Sequence, residues 1–194
     1  MADRRHFAWL GTGLLAMSLT GCVTVVGADT PITSTSTTPH VDRPRVLDLT
    51  HVDPCTLFSA AQQRVFGIDS PARPGESSVF ESKSCRFPND KAFESFYLVP
   101  VPHTGADRFA GGKVNADVRE TAVSGFPSRD LVVRTRPPGE APACDVVVDV
   151  APGQVLIVGF SETRGYGPVR DEGFACRRAH EAAEAAISTL MTTT

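Results

Sequence analysis

Four cysteines, Cys55, Cys85, Cys144 and Cys176, are the residues best able to do chemistry here. Three uses are open to such a set: a metal site, a redox pair, or cross-links. A zinc site needs close Cys-x-x-Cys pairs or histidines near them, and the sequence has neither. Redox catalysis wants the same close pair. Two disulfides are the remaining use, provided the domain folds in an oxidising compartment. Three connectivities exist, and Cys55–Cys85 with Cys144–Cys176 is preferred. Each link would pin a helix near one end of the domain to a strand close in sequence. Spacings of 30 and 32 residues imply stabilisation of roughly 3.7 kcal/mol each in a chain-entropy picture, as an upper figure.

Other reactive patterns are incomplete in this sequence. The histidines are His6, His40, His51, His103 and His180, and none has the two-on-one-helix-turn spacing of a zinc protease. Gly159-Phe160-Ser161-Glu162-Thr163 lacks the final glycine of a nucleophile elbow. Gly111-Gly112-Lys113 lacks the rest of a phosphate loop and reads as a turn. Asp145 and Asp149 share one side of a strand, where general acid–base work is conceivable. The solvated outer face of a half-buried strand accounts for them more simply. Arg129, Arg134 and Arg136 could form a basic face for an anion, but strand-edge charges explain them as well. Tyr166, in Gly165-Tyr166-Gly167-Pro168, would sit on a loop that could form a binding lip. His103 and His180 read as surface or capping residues.

The fifth cysteine, Cys22, stands apart. Arg4, Arg5 and His6 give a basic start, and Phe7 to Leu19 is a mostly apolar run of 13 residues. A helix spanning the bilayer core needs about 20 such residues, so the run reads as an export signal. It ends in Leu19-Thr20-Gly21-Cys22, which resembles the lipobox of bacterial lipoproteins. That resemblance implies cleavage before Cys22 and acylation of its thiol. Residues 1–21 are then the signal peptide, and the mature chain carries a net charge of −4. Attachment would rest on lipid rather than on basic residues. Arg4-Arg5-His6-Phe7 also faintly resembles a twin-arginine motif, with Asp3 and Ala8 departing from it.

Residues 22–45 are rich in Thr, Ser and Pro, without apolar periodicity, and read as a flexible tether open to glycosylation. Residues 46–194 are expected to form a single domain. Asp53-Pro54-Cys55 suits a helix start. Ser59-Ala60-Ala61-Gln62 fits a capping box, so a short helix is expected near 59–66, with Ala61 and Val65 turned inward alongside Phe58 and Phe66. Strands are expected at 79–87, 93–99, 118–123, 131–135, 144–150 and 155–160, with a brief helix over 104–110. Along 144–150, Cys144, Val146, Val148 and Val150 share one face. A final helix over about 173–191 carries Cys176, Ala179, Ala183, Ile187, Leu190 and Met191 as an inward stripe. On its flanks, Arg177 with Glu181 and His180 with Glu184 sit four apart. The order predicts an α+β domain: a mostly antiparallel sheet of about six strands with both helices packed on it.

Together these features resemble the domain-of-unknown-function family 3558, a family of actinobacterial lipoproteins. Its carriers here are Asp53-Pro54-Cys55-Thr56-Leu57-Phe58, Cys85-Arg86-Phe87, Cys144 to Val150 with Gly153 to Val158, and Cys176 heading an Ala-rich helix. The likeness covers about residues 50–192, and a Trp is more usual where Phe87 stands. It implies a location and a fold but no activity, cofactor or catalytic residue. At fold level the layout also looks like extracytoplasmic sensor domains of actinobacterial kinases.

A net charge of −3 argues against a nucleic-acid partner. Two functions fit. One is a non-enzymatic module of the cell envelope, anchored at the outer face of the membrane and binding an envelope protein, lipid or glycan. It predicts an apolar cleft or patch without converging ionisable groups. The other is an envelope hydrolase of unfamiliar type. It predicts at least two of His, Asp, Glu, Ser or Tyr within hydrogen-bond reach.

Overall fold

The computed structural model describes residues 42–134, 143–163 and 170–193. Seven strands form one antiparallel sheet: β1 (Arg73–Ser77), β2 (Ser82–Asn89), β3 (Glu94–Val101), β4 (Ala116–Val123), β5 (Phe126–Val133), β6 (Ala143–Ala151) and β7 (Gln154–Glu162). Their spatial order is β1-β2-β3-β7-β6-β5-β4. The α+β class holds, with seven strands rather than six. The extra one is β1, an edge strand of sequence Arg-Pro-Gly-Glu-Ser with almost no buried residue. It lacks apolar alternation because it has no core to face, and Pro74 is tolerated because one side of an edge strand needs no ladder donor.

Turn chemistry sets the hairpins. Ser124 and Gly125 both have positive φ between β4 and β5, as a two-residue turn of matching twist demands. Pro152-Gly153 links β6 to β7, with Gly153 at φ 73°. After β3 the chain crosses to the far edge, and the last four strands return until β7 closes against β3.

Both helices pack on one face: α1 (Ala60–Val65) and α2 (Glu172–Thr193). Ala175, Ala179, Ala182, Ala183 and Ala186 are fully buried along α2, so the helix lies close to β6 and β7. Phe58, Phe66, Phe87, Phe96 and Phe160 interlock beside it, with ring centroids 4.7–6.3 Å apart. The capping box forms as expected. Ala61 and Val65, however, are exposed, and the buried groups are Leu57, Phe58 and Phe66. A six-residue helix is too short for its own stripe, so the flanking residues anchor it.

The disulfides are Cys55–Cys85 and Cys144–Cys176, as preferred. The first ties the 3-10 turn Pro54–Thr56 to β2, and the second ties β6 to the first turns of α2.

The other face of the sheet differs most from expectation. It carries a second apolar cluster of Val99, Val101, Leu131, Val147, Val155 and Ile157, covered by Phe109 from the crossover after β3. The 3-10 turn Ala106–Phe109 lies within the brief helix expected there. Residues 43–45, assigned to the tether, also bear on the domain. Arg43 grips the Asp149 carboxylate through Nε and Nη2 at 3.1 and 2.7 Å, and the Leu47 amide donates to the Val150 carbonyl.

Candidate functional site

Alternation along β4 and β5 turns Arg119, Thr121, Ser128 and Asp130 toward the helix side at the sheet edge. Helical spacing on α2 brings Arg177 and His180 over them, lining an open cleft of about 400 Å³. Asp130 is only 4% exposed and forms the floor. His180 Nε2 lies 2.5 Å from Asp130 Oδ1, and Arg119 Nε lies 3.4 Å from Oδ2. One buried carboxylate therefore serves an imidazole and a guanidinium. The hydroxyls of Thr121 and Ser128 bond to each other at 2.8 Å, and Thr121 also donates to Asp130 at 3.4 Å. The Asp130 hydrogen bond raises the pKa of His180 above its ordinary value. Burial opposes this, the charges of Asp130 and Glu184 add to it, and Arg119 subtracts.

On the opposite face, Tyr97 of β3 reaches across β7 to donate to Asp145 of β6. Gly159 makes this reach possible. A Cβ there would lie 2.0 Å from Tyr97 Cζ, so the phenol lies flat over a position that must have no side chain. Burial pushes Asp145 up to about 6, against the pull of the Tyr97 hydrogen bond. Burial, then the Asp145 charge, pushes Tyr97 well above its usual range. Beside them, Arg86 Nε donates to Ser95 Oγ at 3.1 Å, and Ser95 bonds Ser161 at 3.1 Å.

A third group sits at the end of β3 and β7. Glu94 and Glu162 face each other across the strands, and Arg170 Nη1 bridges both at 2.5 and 3.3 Å. Burial raises Glu162, while the Arg170 charge opposes it.

The candidate residues of the sequence fall in separate places. Cys22, Arg136 and Tyr166 lie outside the described residues. Asp145 and Asp149 do not line a solvated outer face: Asp149 is 6% exposed and held by Arg43, and Asp145 is held by Tyr97. Arg129 is not a free edge charge either. It pairs with Glu120 and donates to the Ala106 carbonyl, pinning the crossover to the sheet. Arg134 pairs with Asp117 at 2.7 Å. Gly112 and Lys113 form a turn. His103 meets the Phe80 carbonyl, and His51 is exposed. His180, read as a surface or capping residue, is the one that joins a buried carboxylate. On α2, Arg178 rather than Arg177 pairs with Glu181, at 2.7 Å.

Arg119 and Tyr97 carry no local signal. Asp130 could have been found by alternation, as an acid among inward-facing Phe126, Ser128 and Val132. Among the described residues no group of three or more His, Cys, Asp or Glu could hold a metal ion.

Converging ionisable groups in the cleft between sheet and helix are what the enzyme reading expects, and they run against the bare apolar cleft expected of a binding module. Their arrangement decides how far that goes. The imidazole Nε2 is turned to a buried carboxylate, and the nearby hydroxyls are bonded to each other and to that carboxylate. A relay that activates a hydroxyl needs that hydroxyl on the imidazole.

Compared with known families, residues 17–189 match the model described as "Protein of unknown function (DUF3558)". No curated protein and no solved structure matches.

Proposed function

The chain belongs to that family of unknown function, DUF3558, and on this premise we propose that it is a lipid-anchored extracytoplasmic module that binds a component of the cell envelope without catalysing a reaction. The observation that carries the non-catalytic part is the mutual satisfaction of its buried polar groups. Asp145 with Tyr97, Asp149 with Arg43, and Glu94 with Arg170 are closed pairs, and both oxygens of Asp130 are engaged, by His180 and by Arg119. Among the described residues no buried side-chain nitrogen or oxygen lacks a partner. Catalytic groups, by contrast, are held ready for a substrate atom. The location rests on the basic start, the short apolar run and Leu19-Thr20-Gly21-Cys22. Two disulfides in a domain of this size support an oxidising compartment.

The second reading, an envelope hydrolase, is favoured by one observation: the carboxylate–histidine pair in an open cleft. One experiment separates them. The full-length tagged protein is crosslinked in its own envelope, recovered and analysed by mass spectrometry, and the same material is assayed for ester, amide and glycoside hydrolysis. The binding reading expects one dominant partner or bound lipid and no turnover. Turnover abolished by His180→Gln makes the protein a hydrolase. Processing insensitive to globomycin, or four free thiols in the isolated protein, removes the anchored, extracytoplasmic location.

A further inference from the structure

We infer that the cleft between α2 and the β4–β5 hairpin takes an oxyanion, a carboxylate or phosphoryl group, held by Arg119, Arg177 and His180. This rests on the binding-module reading and names the ligand chemistry of the same cleft.

The charges lining the cleft are unequal once their pairings are followed. Asp130 is the only acid on its floor among the described residues, and it is shared by His180 and Arg119. One carboxylate cannot satisfy every donor of the imidazole and the guanidinium that share it. Arg119 touches Asp130 through Nε alone, and its side chain is 66% exposed, so the outer guanidinium nitrogens extend to the solvent side. Arg177 stands one turn before His180 on the same wall and is exposed. Among the described residues it has no carboxylate within ion-pair distance, whereas its neighbour Arg178 is engaged by Glu181 at 2.7 Å and lies 4.0 Å from Glu94.

Among the described residues two acids of α2, Glu181 and Glu184, line the cleft. Glu181 is neutralised by Arg178, and Glu184 acts on His180 by favouring its protonated form. The guanidinium groups of Arg119 and Arg177 and the imidazole of His180 therefore present donors over Asp130, with Glu184 one turn beyond His180 and Asp171 near Arg177 at the rim. Guanidinium and imidazolium groups offer donors without acceptors, and the planar fork of arginine matches carboxylate and phosphate oxygens. A cation would find the floor carboxylate already taken. The Tyr97–Asp145 pair on the other face offers no such spare donors, because donor and acceptor there satisfy one another.

The test is an NMR titration of the imidazole carbon-bound protons of His180 in the full exported chain with disulfides intact, at constant ionic strength set with chloride. Inorganic phosphate, acetate and vesicles of phosphatidylglycerol are added in separate arms. The expected result is a saturable shift of the His180 signals, which weakens as pH rises and the imidazole loses its proton. Arg119→Gln with Arg177→Gln should weaken it by about tenfold or more. Both arginines are exposed, so the doubly substituted protein keeps its fold, checked by dispersion of the remaining signals. A response to phosphate alone identifies a soluble phosphoryl ligand. Acetate acting as well identifies a general oxyanion site, and acetate acting alone a carboxylate site. A response only to vesicles identifies a membrane phosphodiester. No response in any arm, or an equal response in the doubly substituted protein, overturns the assignment. If crosslinking still recovers a partner, only the ligand chemistry falls. Hydrolytic turnover lost with His180 instead removes the binding-module reading, whatever the titration shows.

Discussion

Asp130 on β5 and Asp145 on β6 are close neighbours in the register, since Leu131 pairs with Asp145 and Asp130 with Val146. They face opposite sides of the sheet, and their surroundings treat them oppositely. Asp130 meets an imidazole and a guanidinium on the floor of an open cleft. Asp145 meets a phenol, and burial raises it to about 6. Their partners explain the contrast. A cation compensates a desolvated carboxylate with charge, while a neutral hydroxyl offers only a hydrogen bond. The helix face thus collects charge that a ligand can use, and the opposite face collects a closed polar pair above a second apolar cluster.

The largest expected effect that separates the faces comes from Cys144→Ser with Cys176→Ser. The cross-link joins β6 to α2, which carries His180 over Asp130. Its loss should cost about 2–4 kcal/mol in urea unfolding. In the folded remainder, hydrogen exchange should rise along the first turns of α2 and stay unchanged around Tyr97. Equal loosening of both faces would erase the contrast.

Next in size is Gly159→Ala. The new methyl takes the place of the Tyr97 ring, adding overpacking of about 1–3 kcal/mol to a lost hydrogen bond of about 1 kcal/mol. Tyrosine fluorescence should report the displaced ring, while the His180 titration stays put.

A smaller effect is expected from Asp145→Asn, with a sign set by pH. The folded state holds Asp145 near 6, above its unfolded value of 3.8, so the native form binds the extra proton between those values. Its stability contribution is complete below about pH 4 and falls as pH rises through 6. Asparagine keeps the acceptor for Tyr97 without the charge. The substituted protein should therefore be more stable than the wild type at pH 8, by about 3 kcal/mol at most, and nearly equal to it at pH 4. Equal stability at both pH values would deny that Asp145 is desolvated.

The smallest expected effect is that of His180→Gln. The pKa of His180 is raised in the fold, so its contribution is complete below the unfolded value near 6.5 and is lost as pH rises through the raised folded value. Because the side chain is a quarter exposed, its removal should cost about 1 kcal/mol or less below pH 6 and almost nothing at high pH. Urea midpoints across that range check it.

Legibility in the sequence followed the range of the interaction. The alternation of Cys144, Val146, Val148 and Val150 and the Ala-rich stripe of α2 were plain, because both are repeats along one element. The inward residues of α1 were misplaced at Ala61 and Val65, since a helix of six residues takes its packing from its flanks. β1 was silent, as an exposed edge has no apolar side to display. The candidate site was mostly hidden. Glu184, four residues along the helix, was visible as a neighbour of His180, but Asp130, fifty residues upstream, was not.

The amino-acid sequence by itself determined what depends on near neighbours: the signal-like start, the thiol at Cys22, the turns, the capping box and the even set of four cysteines. Only the tertiary structure decided that the sheet is covered on both faces, that Gly159 clears a path for Tyr97, and that Asp130 is shared by Arg119 and His180. The physical reason is that a desolvated charge takes its character from whichever groups surround it. In an antiparallel sheet those groups arrive from strands and helices far apart along the chain.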